Sequence, residues 1–299
     1  MTQIVLFLIN PVAKLAKVHV GKKNPVRIMG ILNLSPESFN KKSIKTTKIS
    51  IKDTVKQMES DGADFIDVGG MSTAPYLTTT VSEKTELNRI LKAVKIIQNT
   101  TNLPISVDTC RSNVAFSALE NGVEIINDIS GLKYDSKMPQ VISRFCPSLI
   151  LCAYGTKTVS GNNIVATKNL LKESLLIVKK TPVSRNSVVL DPAIGFFRKS
   201  GNGKFFTKIR SDWVKRDLMI IQNLSSIKDS YPILVSVSNK SFLGSILKKE
   251  IPFDRLYGSI TAEAVCVLNG ADIIRTHNVE ATKDAITVVS SLSRSHKGL

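Results

Sequence analysis

The chain has 299 residues, 42% hydrophobic and 22% charged, a balance that suits one well-filled globular domain and excludes disordered or fibrous classes. No apolar run approaches the ~18 residues of a membrane span, and residues 1–9 carry no basic leader before Asn10-Pro11, so the expectation is a cytoplasmic protein without signal peptide or anchor. The net charge of +17 invites a nucleic-acid reading. However, the basic residues are dispersed, with short Lys pairs at 22–23, 41–42, 179–180 and 248–249 and no interleaved aromatics, so solvated faces or attraction of anionic substrates account for them better.

Residues 1–24 stand apart as a short unit in which 4–9 and 17–20 could pair as a β-hairpin closing the bottom of the following domain. From residue 25 to 299 one pattern repeats: a short β-branched strand, a polar or glycine-bearing turn, then an amphipathic helix. The expected strands are 27–33, 65–69, 105–108, 125–128, 149–153, 188–191, 233–237 and 273–277. Helical periodicity follows them, as at 51–60, 83–98, 111–120, 164–180, 212–225 and 279–292. Eight such units without a long linker predict an α/β fold, a closed (β/α)8 TIM barrel. An open doubly wound sheet is the alternative, but the GxGxxG turn that often marks it is absent. Cys110, Cys146, Cys152 and Cys266 lie far apart with no CxxC pair, so reduced thiols are expected rather than disulfides or zinc.

Polar residues collect where these strands end: Asn33, Asp67, Asp108, Asn127, Asp128, Asp191, Ser238, Lys240, Arg275 and His277. The carboxyl ends of barrel strands carry the chemistry. One carboxylate there could be a helix cap, and Asp108 before Thr109 and a helix is a fair candidate for that. Carboxylates and amides on so many strands, all facing one mouth, point instead to a pocket for a hydrogen-bond-rich ligand. Arg275 and His277 alternate with Thr276, so both face the same side; a planar guanidinium fork and an imidazole donor suit phosphate oxygens. His19 and His296 lie near the termini and attract no catalytic reading.

The segments Ile31-Leu32-Asn33-Leu34-Ser35-Pro36-Glu37-Ser38-Phe39, Asp67-Val68-Gly69-Gly70-Met71-Ser72-Thr73-Ala74-Pro75, Ser106-Val107-Asp108-Thr109, Ile126-Asn127-Asp128, Asp191-Pro192-Ala193-Ile194-Gly195-Phe196, Ser238-Asn239-Lys240-Ser241 and Arg275-Thr276-His277 occur in this order. Together they resemble the signatures of the dihydropteroate synthases, the first two being similar to the archaeal branch in particular. The resemblance implies a transferase that condenses 6-hydroxymethyl-7,8-dihydropterin pyrophosphate with an arylamine and releases pyrophosphate, in folate or methanopterin biosynthesis. It further implies pterin binding by Asp108, Asn127, Asp191 and Lys240, and phosphate binding by Asn33, Arg275 and His277. Asn33 would also help hold Mg2+, and Phe39, Thr73, Pro75 and Ser238 would form the arylamine side. Lys240, Asp108, Arg275 and His277 would be the catalytic set, and a homodimer the assembly.

The sequence departs from common bacterial members in one half of the mouth. Asn40-Lys41-Lys42-Ser43 stands where they carry Ser-Asp-Gly-Gly, and Met71-Ser72-Thr73-Ala74-Pro75-Tyr76 where they carry Glu-Ser-Thr-Arg-Pro-Gly. Asn239 replaces an Arg, and Leu151-Cys152-Ala153-Tyr154-Gly155 replaces Met-His-Met-x-Gly. The pterin and phosphate residues are kept, so the expectation is a changed second substrate. An aminobenzene bearing a ribofuranosyl phosphate, met by Lys41, Lys42 and Lys157, is the specific candidate beside p-aminobenzoate. A pterin-dependent methyltransferase, a non-catalytic pterin-binding protein and a nucleic-acid module are the competing readings.

Overall fold

A computed structural model describes residues 12–21, 24–36, 45–75 and 81–295. The chain begins with two short antiparallel strands, β1 (Val12–Leu15) and β2 (Val18–Gly21), turning at Ala16, whose φ is +51°. The hairpin is therefore built from 12–15 and 18–21, and the expected strand 4–9 lies outside the described residues. The turn is fastened to the barrel, because the Ala16 N–H donates to the Ser148 hydroxyl at 2.9 Å.

Eight parallel strands follow: β3 (Arg27–Asn33), β4 (Phe65–Gly69), β5 (Ile105–Asp108), β6 (Ile125–Asp128), β7 (Ser148–Cys152), β8 (Val188–Asp191), β11 (Leu234–Val235) and β12 (Ile273–Thr276). They hydrogen-bond in the order β11-β12-β3-β4-β5-β6-β7-β8. The remaining seam, β8 to β11, is joined by a parallel bridge between Leu190 and Ile233. The fold is thus the expected barrel with a short last seam. The seventh strand is two residues long rather than five because beyond Val235 side chains replace the ladder: the Ser238 hydroxyl accepts the His277 N–H at 3.3 Å.

Helices cover the outside: α1 (Lys48–Ser60), α2 (Glu83–Gln98), α3 (Ser112–Glu120), α4 (Met138–Phe145), α5 (Asn163–Val178), α6 (Trp213–Gln222), α7 (Leu224–Lys228), α8 (Ser241–Leu247), α9 (Leu256–Leu268) and α10 (Val279–Ser295). The stretch expected as one helix at 212–225 is two, divided at Asn223, whose φ of −119° leaves the helical region. A two-residue parallel ladder between β9 (Phe197–Arg198) and β10 (Thr207–Lys208) interrupts the path from β8 to α6.

The alternation of strand side chains divides the barrel interior into levels. At the bottom Met29, Phe65, Ile125, Ile150, Val189, Leu234 and Ile273 pack with Ala13, Leu15 and Val20 of the hairpin. Two residues further along, the inward positions become Asp67 on β4, Asn127 on β6, Asp191 on β8 and Arg275 on β12, with Ser106 of β5 and Ile31 of β3 level with Asp67 and Cys152 of β7 level with Asp191. A larger apolar layer lies between strands and helices. The apolar plug below and the polar set above follow from one period-two pattern.

Candidate active site

The strand register brings the polar ends together. Asn33 pairs with Gly69, Gly69 with Asp108, and Asp108 with Asn127 along β3 to β6. Asp67, two residues below Gly69, is fully buried and accepts a hydrogen bond from the Ser106 hydroxyl at 2.6 Å. Arg275 crosses from β12 and joins the carboxylates: Nε donates to Asp67 at 2.6 Å and Nη2 to Asp108 at 2.8 Å. The Asn127 amide approaches both Asp67 oxygens at 3.4 Å. Burying two carboxylates this close is tolerable only with a shared cation. Arg275 supplies it, and the two carboxylates hold its charged form well above its ordinary range.

Asp108 is not a helix cap, since α3 begins four residues later and its first N–H, at Ser112, donates to Asp135. Burial pushes Asp108 up to about 7, against the pull of Arg275 and with the help of Asp67. Asp128, by contrast, is a loop anchor: it accepts from the Ser130 N–H and hydroxyl and from the Leu132 N–H.

Lys240 stands at the start of α8 on a tight turn. Asn239 has a φ of +59°, its N–H donates to Ser259, and its carbonyl accepts from Arg255. The Lys240 chain crosses Gly195, where a Cβ would lie 2.8 Å from Lys240 Cδ, and Nζ sits 3.9 Å from the centre of the Phe196 ring. Burial and the nearby Arg275 lower Lys240 to about 8. Asp191, at the end of β8, accepts the Ala193 N–H at 2.7 Å, and burial raises it despite the field of Lys240.

His277 follows β12. The Ser238 hydroxyl accepts the His277 backbone N–H and lies 3.1 Å from Nδ1 of the ring. Burial, Arg275 and Lys240 lower His277 to about 3, which makes it a neutral donor at physiological pH rather than a cation.

One cleft at the carboxyl face is lined by Asn33, Thr73, Pro75, Asp108, Ser238, Lys240, Arg275 and His277, with Gly69, Met71 and Phe196. Asn127 and Asp191 adjoin this set without lining the same cleft. Phe39, Lys41 and Lys42 fall outside the described residues, and Lys157 is exposed on the loop after β7. At Asn239 and His277 the cleft adjoins a hollow of about 450 Å³ that reaches Lys45, Asn278 and Glu280. A larger hollow, about 660 Å³, lies at the opposite end beside the hairpin; size does not make it the site, since barrel chemistry belongs to the carboxyl face.

Three supporting groups had no assigned role in the sequence reading. Asp67 anchors Arg275. Glu86 on α2 binds Thr109 at 2.7 Å and Arg111 at 2.8 Å, steadying the turn after Asp108. Arg216 and Asp217, adjacent and fully buried on α6, clamp the 192–195 turn: Arg216 donates to the Pro192 and Ala193 carbonyls, and Asp217 accepts the Gly195 N–H. Among the described residues, no group of three or more His, Cys, Asp or Glu could hold a metal ion, and no helix is long and apolar enough to cross a membrane. All four cysteines are free.

Comparison with known proteins agrees with this geometry. The dihydropteroate synthase of Clostridium beijerinckii is 34% identical over 255 residues, 84% of this chain and 88% of the relative. A Coxiella burnetii dihydropteroate synthase solved with pteroic acid superposes with a TM-score of 0.79 at 29% identity, covering 95% of this chain and 98% of that one. The Xanthomonas albilineans enzyme solved with 4-aminobenzoic acid gives 0.81 at 26% identity, with the same coverage. The family model described as Pterin binding enzyme matches residues 29–277, the span from β3 to the Arg275-x-His277 pair. With most of its length matched and its strand-end carboxylates, lysine and arginine gathered at one mouth, the chain belongs to the pterin-binding enzyme family, alongside the dihydropteroate synthases.

Proposed function

We propose that this protein is a dihydropteroate synthase-type transferase of folate synthesis, which joins 6-hydroxymethyl-7,8-dihydropterin pyrophosphate to an arylamine and releases pyrophosphate. The observation that carries the reading is the cluster of Asp108, Lys240, Arg275 and His277 around one cleft at the strand ends. It combines acceptors for a pterin edge with donors for a leaving pyrophosphate.

In the proposed chemistry the arylamine nitrogen forms a bond to the pterin methylene carbon as the carbon–oxygen bond to pyrophosphate breaks. The electron pair leaves with pyrophosphate, and the amine surrenders its proton to the leaving group or to water. The protein needs no covalent nucleophile; it positions both partners and stabilises separating charge. Asp108 stabilises the cation developing on the pterin. Asp191 and Asn127 match the pterin amino and ring N–H groups, and Lys240 donates to its carbonyl and ring nitrogen. Arg275 has Nε and Nη2 engaged by carboxylates, so a phosphate would use the remaining edge of its fork, with the N–H of the neutral His277 ring as a second donor.

Mg2+ belongs to the proposal as the partner of the pyrophosphate, with the Asn33 amide oxygen as a protein ligand. That oxygen already accepts the Ser35 N–H at 3.0 Å. An amide oxygen is a hard ligand, the type that suits a cation keeping mostly water and phosphate ligands. When bound, such a cation neutralises charge on the leaving group.

Thr73, Pro75 and Ser238 would border the arylamine. p-Aminobenzoate is the proposed second substrate, as the X. albilineans relative was solved with 4-aminobenzoic acid. A methanopterin-type, archaeal arylamine carrying a phosphate is the refinement that the altered loop sequences suggest. The assembly would be a homodimer through α9 and α10, whose outer faces expose Tyr257 and Leu268, and Val288 and Leu292; apolar side chains clustered on neighbouring helices suit a partner surface.

The deciding experiment is pyrophosphate release from the dihydropterin pyrophosphate with each arylamine. Turnover with either supports the transferase, and a clear preference for p-aminobenzoate sinks the phosphorylated alternative. Lys240→Ala is expected to abolish turnover and weaken pterin binding, as measured by calorimetry; near-normal activity would refute its role.

A further inference from the structure

After Phe196 the chain leaves the barrel through β9, turns through residues 199–206, and returns through β10 before Asp212 caps α6. The base of this excursion is tied to neighbouring loops. The Tyr134 ring meets Phe205 edge-on at 5.0 Å, and the Gly155 N–H donates to the Thr207 hydroxyl at 2.9 Å. The Val159 N–H donates to the Lys208 carbonyl at 2.7 Å.

Its tip reaches the loop after β4. The Gly203 N–H donates to the Pro75 carbonyl at 2.9 Å. Beside it, a Cβ on Gly201 would lie 2.6 Å from the same carbonyl oxygen and 3.0 Å from the Phe206 ring. Gly201 is not among the glycines with positive φ, so closeness of approach, not backbone conformation, calls for glycine there.

Pro75 belongs to a wall of the cleft, with Met71, Thr73 and Ala74. These residues make no strand ladder, so the barrel alone does not set their place. The loop is held at its start by Arg89 on the Gly70 carbonyl and at its end by Arg111 on the Val81 carbonyl. Between those pins, the described residues give the Pro75 carbonyl its support from Gly203. The wall carries no charged group and is largely apolar, which suits an aromatic ring better than a pterin edge or a phosphate.

We propose that residues 199–206 form a positioning strap: by backing Pro75 they set where the 71–75 wall stands, and so the width available to the second substrate. Gly201 is the specificity-determining residue of the strap. This rests on the transferase reading above and deepens it, since it concerns the arylamine side of the same cleft.

Graded bulk at Gly201 tests the strap. In the full chain, Gly201→Ala and Gly201→Val are compared with Lys208→Ala, an exposed side chain on β10 outside the strap. Steady-state kinetics would use p-aminobenzoate and the wider 6-amino-2-naphthoate, with thermal melts to check folding. The expected result is a rise in the p-aminobenzoate KM of about fivefold for Gly201→Ala and more for Gly201→Val, with the pterin pyrophosphate KM moving less than about twofold. Preference should shift further toward p-aminobenzoate, because bulk behind Pro75 pushes the wall into the cleft and narrows it, and Lys208→Ala should match the parent. If both KM values move together, or neither moves, in folded variants, the strap has no such role. A parent chain that couples no arylamine overturns the transferase reading and the strap with it; normal coupling with unshifted Gly201 variants overturns the strap alone.

Discussion

At the scale of single residues, the proposed reaction depends on two ionisations, with Asp108 needed as a carboxylate and Lys240 as a donor. Asp108 acts as a carboxylate, and burial brings it up to about 7; its contribution therefore appears as pH rises through that value. Lys240 acts as a donor and is lowered to about 8, so its contribution is lost as pH rises further. kcat/KM should follow a narrow bell with limbs near these values. Asp108→Asn should remove the acidic limb along with most of the activity, whereas His277, neutral above about 3, should add no limb near 6.5. A pH profile flat from 6 to 9 would contradict both assignments. Asp67 makes a separate prediction. Asp67→Asn keeps the shape but withdraws one of the two carboxylates from Arg275, and should lower kcat/KM about a hundredfold, the scale of losing one preorganised electrostatic partner. The check is kinetics beside a melting curve; unchanged kinetics would leave Asp67 a core residue only. Asp67 was legible as a strand-end carboxylate but not as the anchor of Arg275. That role needs two strands 208 positions apart in sequence to meet, and strand-local patterning carries no such distance.

Loops and helices add a second layer of support. The Arg216–Asp217 pair is buried on both sides, with Arg216 stacked 3.6 Å from the Phe197 ring centre. Removing one member leaves the other charge uncompensated in the interior. Asp217→Ala should cost about 3–5 kcal/mol of stability, read by chemical denaturation. It should also weaken pterin binding, because Gly195 and Phe196 lose the anchor that places them against Lys240. A loss below about 1 kcal/mol, the range of surface pairs, would show that the pair does not bear on the turn. In the sequence, Trp213-Val214-Lys215-Arg216-Asp217 reads as an ordinary helix start with charges facing solvent. Only the docking of α6 under the 192–195 turn gives the two charges partners there.

On the scale of the whole molecule, the apolar outer faces of α9 and α10 predict self-association. Leu268→Glu with Tyr257→Glu places charges on that face without touching the barrel interior. Sedimentation velocity should show a dimer for the parent chain and a monomer for the double variant; a monomeric parent chain would dispose of the homodimer. The hairpin at the other end closes the apolar level of the barrel with Ala13, Leu15 and Val20. Val18–Gly21 meets Val12–Leu15 across the turn at Ala16, while the expected strand 4–9 lies outside the described residues.

Sequence by itself determined the eight strand–helix units, the barrel they form, and the polar strand ends, because period-two and helical patterns are local and the signatures fall on the strand ends. It also marked off the strand-end residues that resemble the family signatures from the stretches 40–43 and 71–76, which depart from them. Tertiary structure alone decided how the charges are shared: Arg275 between Asp67 and Asp108, Lys240 across Gly195 onto Phe196, His277 neutral beside Ser238, and Pro75 backed by the strap. Each of these joins segments distant in the chain, and burial, which sets the electrostatics of the site, exists only once they have packed together.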